Sequence, residues 1–308
     1  FNLGVVFPNL VEAFKENKVS MERIDEALER ILMTRMKLGI LGEADDNPYN
    51  QIPYSVVDSD EMKKLNERAA EKAVVLLKNK DNILPLDKNK IKTIAVLGPN
   101  ADNRRSLDGN YEGTSSRYIT VLEGIQDYVG DDVRVLYSEG CHPFRDQINP
   151  MAFKNDRIAE IKEICSESDV VIAVMGLDGT LEGEDGDTGS DYGMGDKPYL
   201  HLPGIQTEVL KIAKESGKPV ILVNMTGSAM TLNWEEENLD GIIQGWYPGA
   251  RGGNAIARLL FGEVNFEGKL PVTFYRTMEE LPKFTDYSMK NRTYRYMKNE
   301  ALYPFGYG

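Results

Sequence analysis

Apolar positions change their spacing twice along this chain. Over residues 19–38, "VSMERIDEALERILMTRMKL", Ile24, Ala27, Leu28, Ile31, Leu32 and Leu38 recur in three- and four-residue steps and share one face of a helix. Ser20 offers an N-cap oxygen, Glu22 sits in the first turn and Gly39 supplies the stop. The period then lapses over 42–56, "GEADDNPYNQIPYSV", where two prolines mark a linker. A second helix is expected over 59–79, opening at Ser59, Asp60 or Glu61 and ending at "KNKDN".

From residue 91 short apolar runs alternate with helical stretches. "IKTIAVLG" (91–98), "VRVLYS" (133–138), "DVVIAVMG" (169–176), "KPVILVN" (218–224), "GIIQGWYPG" (241–249) and "GKLPVTFY" (268–275) read as strands. Several are apolar on both faces, as in a parallel sheet covered on both sides. Between them, 120–129, 156–168, 204–216 and 252–262 carry helical spacing. The expected fold is therefore α/β: an open, mostly parallel six-stranded sheet with helices on both faces. Ligands of such a sheet belong in the loops at the carboxyl ends of its strands.

Composition narrows the function. A chain of 308 residues with 41% hydrophobic and 28% charged content can bury a core. Its net charge of −13 argues against nucleic acid and against an anionic membrane surface as partners. No apolar run reaches the roughly 18–20 residues that cross a bilayer. Cys141 and Cys165 make no disulfide framework, and His142 and His201 are too few for a histidine-based metal site. Acid–base chemistry falls to carboxylates or tyrosines. The opening "FNLGVVFPNL" has no initiator Met and no basic segment before its apolar residues, so it does not read as a signal peptide. Cytoplasmic and secreted locations both stay open, and the chain reads as a piece of a larger protein.

The third run opens into a glycine-rich loop with six carboxylates: Asp178, Glu182, Glu184, Asp185, Asp187 and Asp191. No Lys or Arg intervenes before Lys197. One reading is a solvated acidic loop. A calcium loop is a second, but counting from Asp185 the motif fails at Gly189 and Ser190, and Asp196 replaces its final Glu. A third is a carboxylic acid catalyst, in which Glu182 or Glu184 holds a proton because burial or a neighbouring charge raises its pKa. There is no G-x-S-x-G, P-loop or G-x-G-x-x-G. "GNYEGTSS" (109–116), with Tyr111, reads as a sugar-facing loop or as a tight glycine turn. Trp246 and Tyr247 end the fifth run, as aromatic faces for a sugar or as core. Asn224 and Asn291 each begin a glycosylation triplet.

Several stretches, in order, resemble one family: "AAEKAVVLLKNKDNILPL" (69–86), "IAVLGPNADN" (94–103), "GNYEGTSS", "GLDGTLEGE" (176–184), "LHLPGIQTEVL" (200–210), "PGARGGNAIARLLFGEVNFEGKLPVTF" (248–274) and "NRTYRYMKNEALYPFGYG" (291–308). Together they are similar to the second domain of family 3 glycoside hydrolases, in the branch of β-xylosidases and β-glucosidases. The resemblance implies that 1–41 are the last helices of a (β/α)8 barrel, 42–90 a linker and connecting helix, 91–276 an α/β sandwich, and 277–308 a segment leading toward a fibronectin-type III domain. It implies a retaining, exo-acting β-glycosidase that removes terminal xylose or glucose without a cofactor. Its nucleophile would be a barrel Asp, and its acid/base Glu184, with Glu182 as the runner-up. Tyr111 and Trp246 would face the sugar. The implied partners are an oligosaccharide or glycoside substrate and the barrel of the same enzyme; a homodimer is compatible with the reading. The connection "DGDTGSDYGMGDKPYLHLPG" is longer than in many relatives, with Asp196 and Lys197 where those carry Asp-Arg. A rival reading is a non-catalytic α/β module that binds carbohydrate or protein.

Overall fold

A computed structural model describes residues 7–41, 47–110, 112–147, 149–153, 156–183, 197–283 and 285–308. The chain forms two units, Phe1–Ser59 and Asp60–Gly308. The first holds α1 (Leu10–Lys15) and α2 (Met21–Lys37). Ser20 Oγ accepts from Arg23 N at 3.2 Å, and Gly39 takes φ +70°. The helix expected over 19–38 thus starts and stops where its capping residues stand.

The second unit runs α3 (Asp60–Ala73), β1 (Val75–Asn79), β2 (Thr93–Leu97), α4 (Val121–Val129), β3 (Arg134–Ser138), α5 (Ile158–Ser166), β4 (Val170–Gly176), α6 (Gln206–Glu215), β5 (Val220–Met225), α7 (Asn233–Asn238), β6 (Gly241–Gln244), α8 (Gly252–Leu260) and α9 (Thr293–Tyr296). The strands form one sheet in the order β1-β6-β5-β4-β2-β3. Every pairing is parallel except β1 with β6.

Strand periodicity sorts the core. Val171, Ala173 and Met175 of β4 join Leu222 of β5 against Ile161 and Cys165 of α5 and Val209 and Leu210 of α6. Val170, Ile172 and Val174 join Ile221 and Val223 against Ile125 of α4 and Ile256 and Leu260 of α8. Both faces are covered, which is why β4 is apolar throughout and β5 is apolar up to Asn224. On the second face α4 and α8 touch backbone to backbone: a Cβ at Gly124 would lie 2.2 Å from the carbonyl oxygen of Gly253.

Strand β2 lies between β4 and β3. The chain leaves β2 for β3 on one side, then crosses to β4 on the other. The loops after β2 and β4 therefore diverge at the carboxyl edge, and this switch point is where an open α/β sheet forms a crevice.

Two elements differ from the sequence expectation. The run 268–275 is no strand; Phe274 makes one isolated bridge to Tyr303. Pro271, inside that run, has no N–H for a ladder. The sixth strand is β1, which occupies the end of the helix expected over 59–79. Its register is Val75 to Gln244 and Leu76 to Ile243, with a bulge before Lys78. Helix α3 belongs to the α/β unit. Asn66 Nδ2 donates to Pro248 O at 3.2 Å, Arg251 N donates to Asn66 Oδ1 at 2.8 Å, and Asn254 Nδ2 donates to Glu67 Oε1 at 2.9 Å. At the other end, Leu270 N donates to Tyr307 O at 2.8 Å and Tyr307 OH to Leu77 O at 3.1 Å. The last residues thus run back beside β1.

Candidate active site

The acidic loop leaves β4 at the switch point, and its first carboxylate is structural. Asp178 is 4% exposed. Its Oδ1 accepts from Thr180 N at 2.9 Å and Thr180 Oγ1 at 2.5 Å. Its Oδ2 accepts from Asn103 Nδ2 at 2.9 Å, which ties the loop after β4 to the loop after β2. Its carbonyl accepts from Leu181 N at 2.9 Å and Glu182 N at 3.1 Å, closing a turn. Nearby, Asn100 Nδ2 holds Leu177 O at 2.7 Å.

That turn aims Glu182 at the loops after β5 and β6. Glu182 Oε2 accepts from Gly227 N at 2.8 Å and from the hydroxyl of Tyr247. Oε1 accepts from Ser228 Oγ and faces Lys197 Nζ at 3.5 Å. Lys197 Nζ also donates to Ser228 Oγ at 2.5 Å. The side chains of Lys197 and Glu182 are 7% and 18% exposed, so solvent screens the pair little. Gly227 is required for this approach: a Cβ there would stand 2.8 Å from Tyr247 Cε2 and 3.1 Å from Glu182 Oε2. Burial, then the adjacent Glu182 charge, pushes the Tyr247 hydroxyl well above its ordinary pKa, so it remains a donor.

A buried amide network lies beneath this cluster. Asn224 Nδ2 donates to Gln244 Oε1 at 2.6 Å, linking the carboxyl ends of β5 and β6. Gln244 Nε2 donates to Thr226 Oγ1 at 2.9 Å, and Thr226 Oγ1 donates to Ser228 O at 3.0 Å. The loop that holds Glu182 is therefore fixed to the floor of the sheet. Two cavities open at this edge. One of about 960 Å³ is lined by Arg104, Arg105, Asp108, Tyr118, His142 and Asp178. The other, about 460 Å³, opens on Glu182, Lys197, Ser228, Tyr275 and Leu281.

The remaining sequence candidates separate. Glu184 and Tyr111 lie outside the described residues. Trp246 donates its Nε1 to Ala73 O at 3.0 Å and packs partly on the core, while its neighbour Tyr247 joins Glu182. His142 Nδ1 accepts from Phe144 N at 3.2 Å and Arg145 N at 3.1 Å, as a turn former. Arg295 lies over the Tyr294 ring, 5.5 Å from its centroid. Asn224 is fully buried, so the folded chain does not offer it for glycosylation. Among the described residues no cluster of His, Cys, Asp or Glu is arranged to hold a metal, and no helix is long and apolar enough to cross a membrane. Sequence reasoning missed Ser228, which no motif marks. Lys197 carried a signal, as the first cation after the seven carboxylates from Asp178 to Asp196.

A doubly covered, mostly parallel sheet with hydrogen-bonded carboxylates at its carboxyl edge defines an α/β module. The family model described as "Glycosyl hydrolase family 3 C-terminal domain" matches residues 74–308, and the chain belongs to that family. It is 34% identical to a β-xylosidase of Formosa agariphila, over 97% of this chain and 40% of that protein. It is 32% identical to a periplasmic β-glucosidase of Salmonella typhimurium, over 96% of this chain and 41% of that protein. Among solved structures, a family 3 exo-β-xylosidase in complex with a xylobiose aziridine activity-based probe superposes with a TM-score of 0.83 at 28% identity, covering 96% of this chain and 37% of that one. The chain thus spans about two fifths of the length of these curated relatives.

Proposed function

We propose that this chain is the acid/base-bearing part of a retaining, exo-acting β-glycosidase that removes terminal β-linked xylose or glucose. The supporting observation is the state of Glu182. Both of its oxygens already accept hydrogen bonds, at the root of the acidic loop. A general acid must instead carry a proton aimed at the leaving oxygen. This favours Glu184, the second glutamate of "LEGE", as acid/base, and makes Glu182 an anchor. The nucleophile is an Asp of a preceding barrel, to which residues 1–41 contribute helices. Tyr111, from the loop after β2, is the proposed sugar contact, while Trp246 is held by the core and by Ala73 O and leaves that role.

In the first step the Asp attacks the anomeric carbon, the glycosidic C–O bond breaks, and Glu184 gives its proton to the departing oxygen. In the second, the Glu184 carboxylate takes a proton from water, whose oxygen attacks the anomeric carbon and displaces the Asp. A retaining enzyme holds the two carboxyl groups about 5–5.5 Å apart. No metal or organic cofactor takes part, and the α/β unit without the barrel is expected to be inactive.

The test is hydrolysis of nitrophenyl β-xyloside and β-glucoside by the enzyme carrying the barrel. Glu184→Ala should lose about 10²–10⁴-fold on poor leaving groups and less on good ones, with azide restoring turnover. Parent-like activity in Glu184→Ala would remove the loop from the mechanism, and the substrate hydrolysed faster names the sugar.

A further inference from the structure

The cavity of about 960 Å³ at the carboxyl edge has three walls. Arg104 and Arg105 stand on the loop after β2, Asp178 and Thr180 on the loop after β4, and Tyr137 and Glu139 at the end of β3. No motif in the sequence marked the third wall. We infer that this cavity is a binding site for a short neutral saccharide, which Arg105 contacts from the first wall and Tyr137 and Glu139 from the third. The choice of sugar, β-linked xylose or glucose units, rests on the proposed glycosidase reading.

Three observations carry it. First, direct hydrogen bonds tie the walls to each other, so the shape of the cavity does not wait for a ligand. Asn103 Nδ2 joins the first wall to Asp178 of the second. Gly98 N donates to Ser138 O at 3.0 Å, which joins the ends of β2 and β3. Gln206 is fully buried and accepts from Gly176 N at 2.7 Å. Its Nε2 donates to Gly176 O at 2.8 Å and to Pro143 O at 2.6 Å, holding the loop after β3 against the end of β4. A site fixed in this way loses little conformational entropy when it binds.

Second, size and lining suit a chain of a few sugars. Ligand pockets span about 300–1,000 Å³, and this cavity lies near the upper end. A pyranose presents C–H faces and a rim of hydroxyls, so it needs ring surface beside donors and acceptors. Tyr118 carries the Arg104 guanidinium 5.9 Å from its centroid, and Tyr137 is 37% exposed. Burial, then the adjacent Glu139 charge, raises Tyr137 to about 12, so its hydroxyl stays a donor.

Third, the charge on the walls selects against anions. Five carboxylates face two guanidiniums. Asp178 is satisfied by Asn103 and Thr180, and Asp102 Oδ1 accepts from Thr120 Oγ1 at 3.0 Å. Glu139 faces the cavity, as do Arg104 and Arg105. A phosphate or a uronate would meet a field of its own sign. A sugar hydroxyl donates to Glu139 and accepts from Arg105, which uses both kinds of group.

The test is calorimetric titration of the enzyme carrying the barrel with sulphur-linked xylotriose and cellotriose, whose linkages resist hydrolysis. A sulphur-linked xylotriose bearing a glucuronate branch is the charged probe. The variants are Arg105→Ala, Glu139→Gln and Tyr137→Ala, each checked by thermal unfolding. Arg105 is exposed and Gln keeps the shape of Glu139, so these two leave the packing alone. Each variant should raise the Kd of the neutral trisaccharide about tenfold, the effect of losing a bond to a charged or well-placed polar group. The glucuronate chain should bind the parent about tenfold more weakly than the neutral one, and Glu139→Gln should narrow that gap.

A parent that binds neither neutral trisaccharide, or a Kd that none of the variants moves, would overturn the inference. A glucuronate chain bound as tightly as the neutral one would overturn the selection by charge and make Arg104 and Arg105 an anion site. Hydrolysis of the nitrophenyl glycosides by the parent judges the glycosidase reading separately. If that hydrolysis is absent while the variants still weaken the trisaccharide, the reading fails and the cavity stands.

Discussion

Trp246 adopts φ +59°, the left-handed region that costs an L-residue about 1–2 kcal/mol. The turn gives two adjacent aromatic residues opposite duties. The indole N–H goes to the carbonyl of Ala73 behind the sheet edge, and the next hydroxyl goes to Glu182 in front of it. Trp246→Phe keeps most of the ring and removes that one donor. It should lower the free energy of unfolding by about 1 kcal/mol, read from urea denaturation. The pair "WY" was visible in the sequence as two aromatic residues at a strand end. Which of them meets the acidic loop was not, because the choice depends on a backbone turn that Trp does not signal. The two glutamates were likewise legible as a pair, whereas the saturation of Glu182 depends on Gly227 and Ser228, forty-five and forty-six residues further along the chain.

At the scale of elements, α4 and α8 meet with no room for a side chain at Gly124. A methyl at Gly124 meets the Gly253 carbonyl, a backbone group that cannot rotate away. Gly124→Ala should therefore cost about 3 kcal/mol, toward the upper end of overpacking effects, and lower the thermal midpoint. The same scale explains which strands were legible. The inner parallel strands β2, β4, β5 and β6 announce themselves as largely apolar runs closed by turn residues, since burial on both faces leaves little polar alternation to confuse, whereas the edge strand β3 is half-exposed and mixed in its residues. The edge strand was misplaced because "AAEKAVVLLKN" continues the apolar spacing of α3 into β1 without a breaking residue. "GKLPVTFY" has strand-like residues, yet the edge beside β6 is taken by β1, and pattern alone does not report which edge is vacant.

Across the whole molecule, tyrosines bind stability to pH. Partial burial raises Tyr137, itself 37% exposed, to about 12, and burial with neighbouring glutamates raises Tyr247 and Tyr303. Above the ordinary tyrosine pKa, about 10, the unfolded chain releases these protons while the folded one keeps them. Their contribution is complete below about pH 10 and is lost as pH rises toward the folded values. Unfolding free energy measured from pH 8 upward should begin to fall as the unfolded Cys141 and Cys165 thiols ionise, since burial raises both in the folded chain, and should fall more steeply above about 10 as the tyrosines follow. Tyr247→Phe and Tyr303→Phe together should flatten that fall, and a curve unchanged by both would exclude them as its source. The order of motifs along the chain made the family legible at this scale, although each motif alone is short.

The return of residues 302–308 alongside β1 gives the α/β unit a property separate from its chemistry. Tyr307 bonds Leu77, and a Cβ at Gly308 would stand 2.5 Å from Val75 Cγ1. The start of β1 and residue 308 thus lie at one corner of the sheet. A few residues joining 308 to 74 would close the path of the sheet into a ring, and α3, which bonds Pro248, Arg251 and Asn254, would stand outside it.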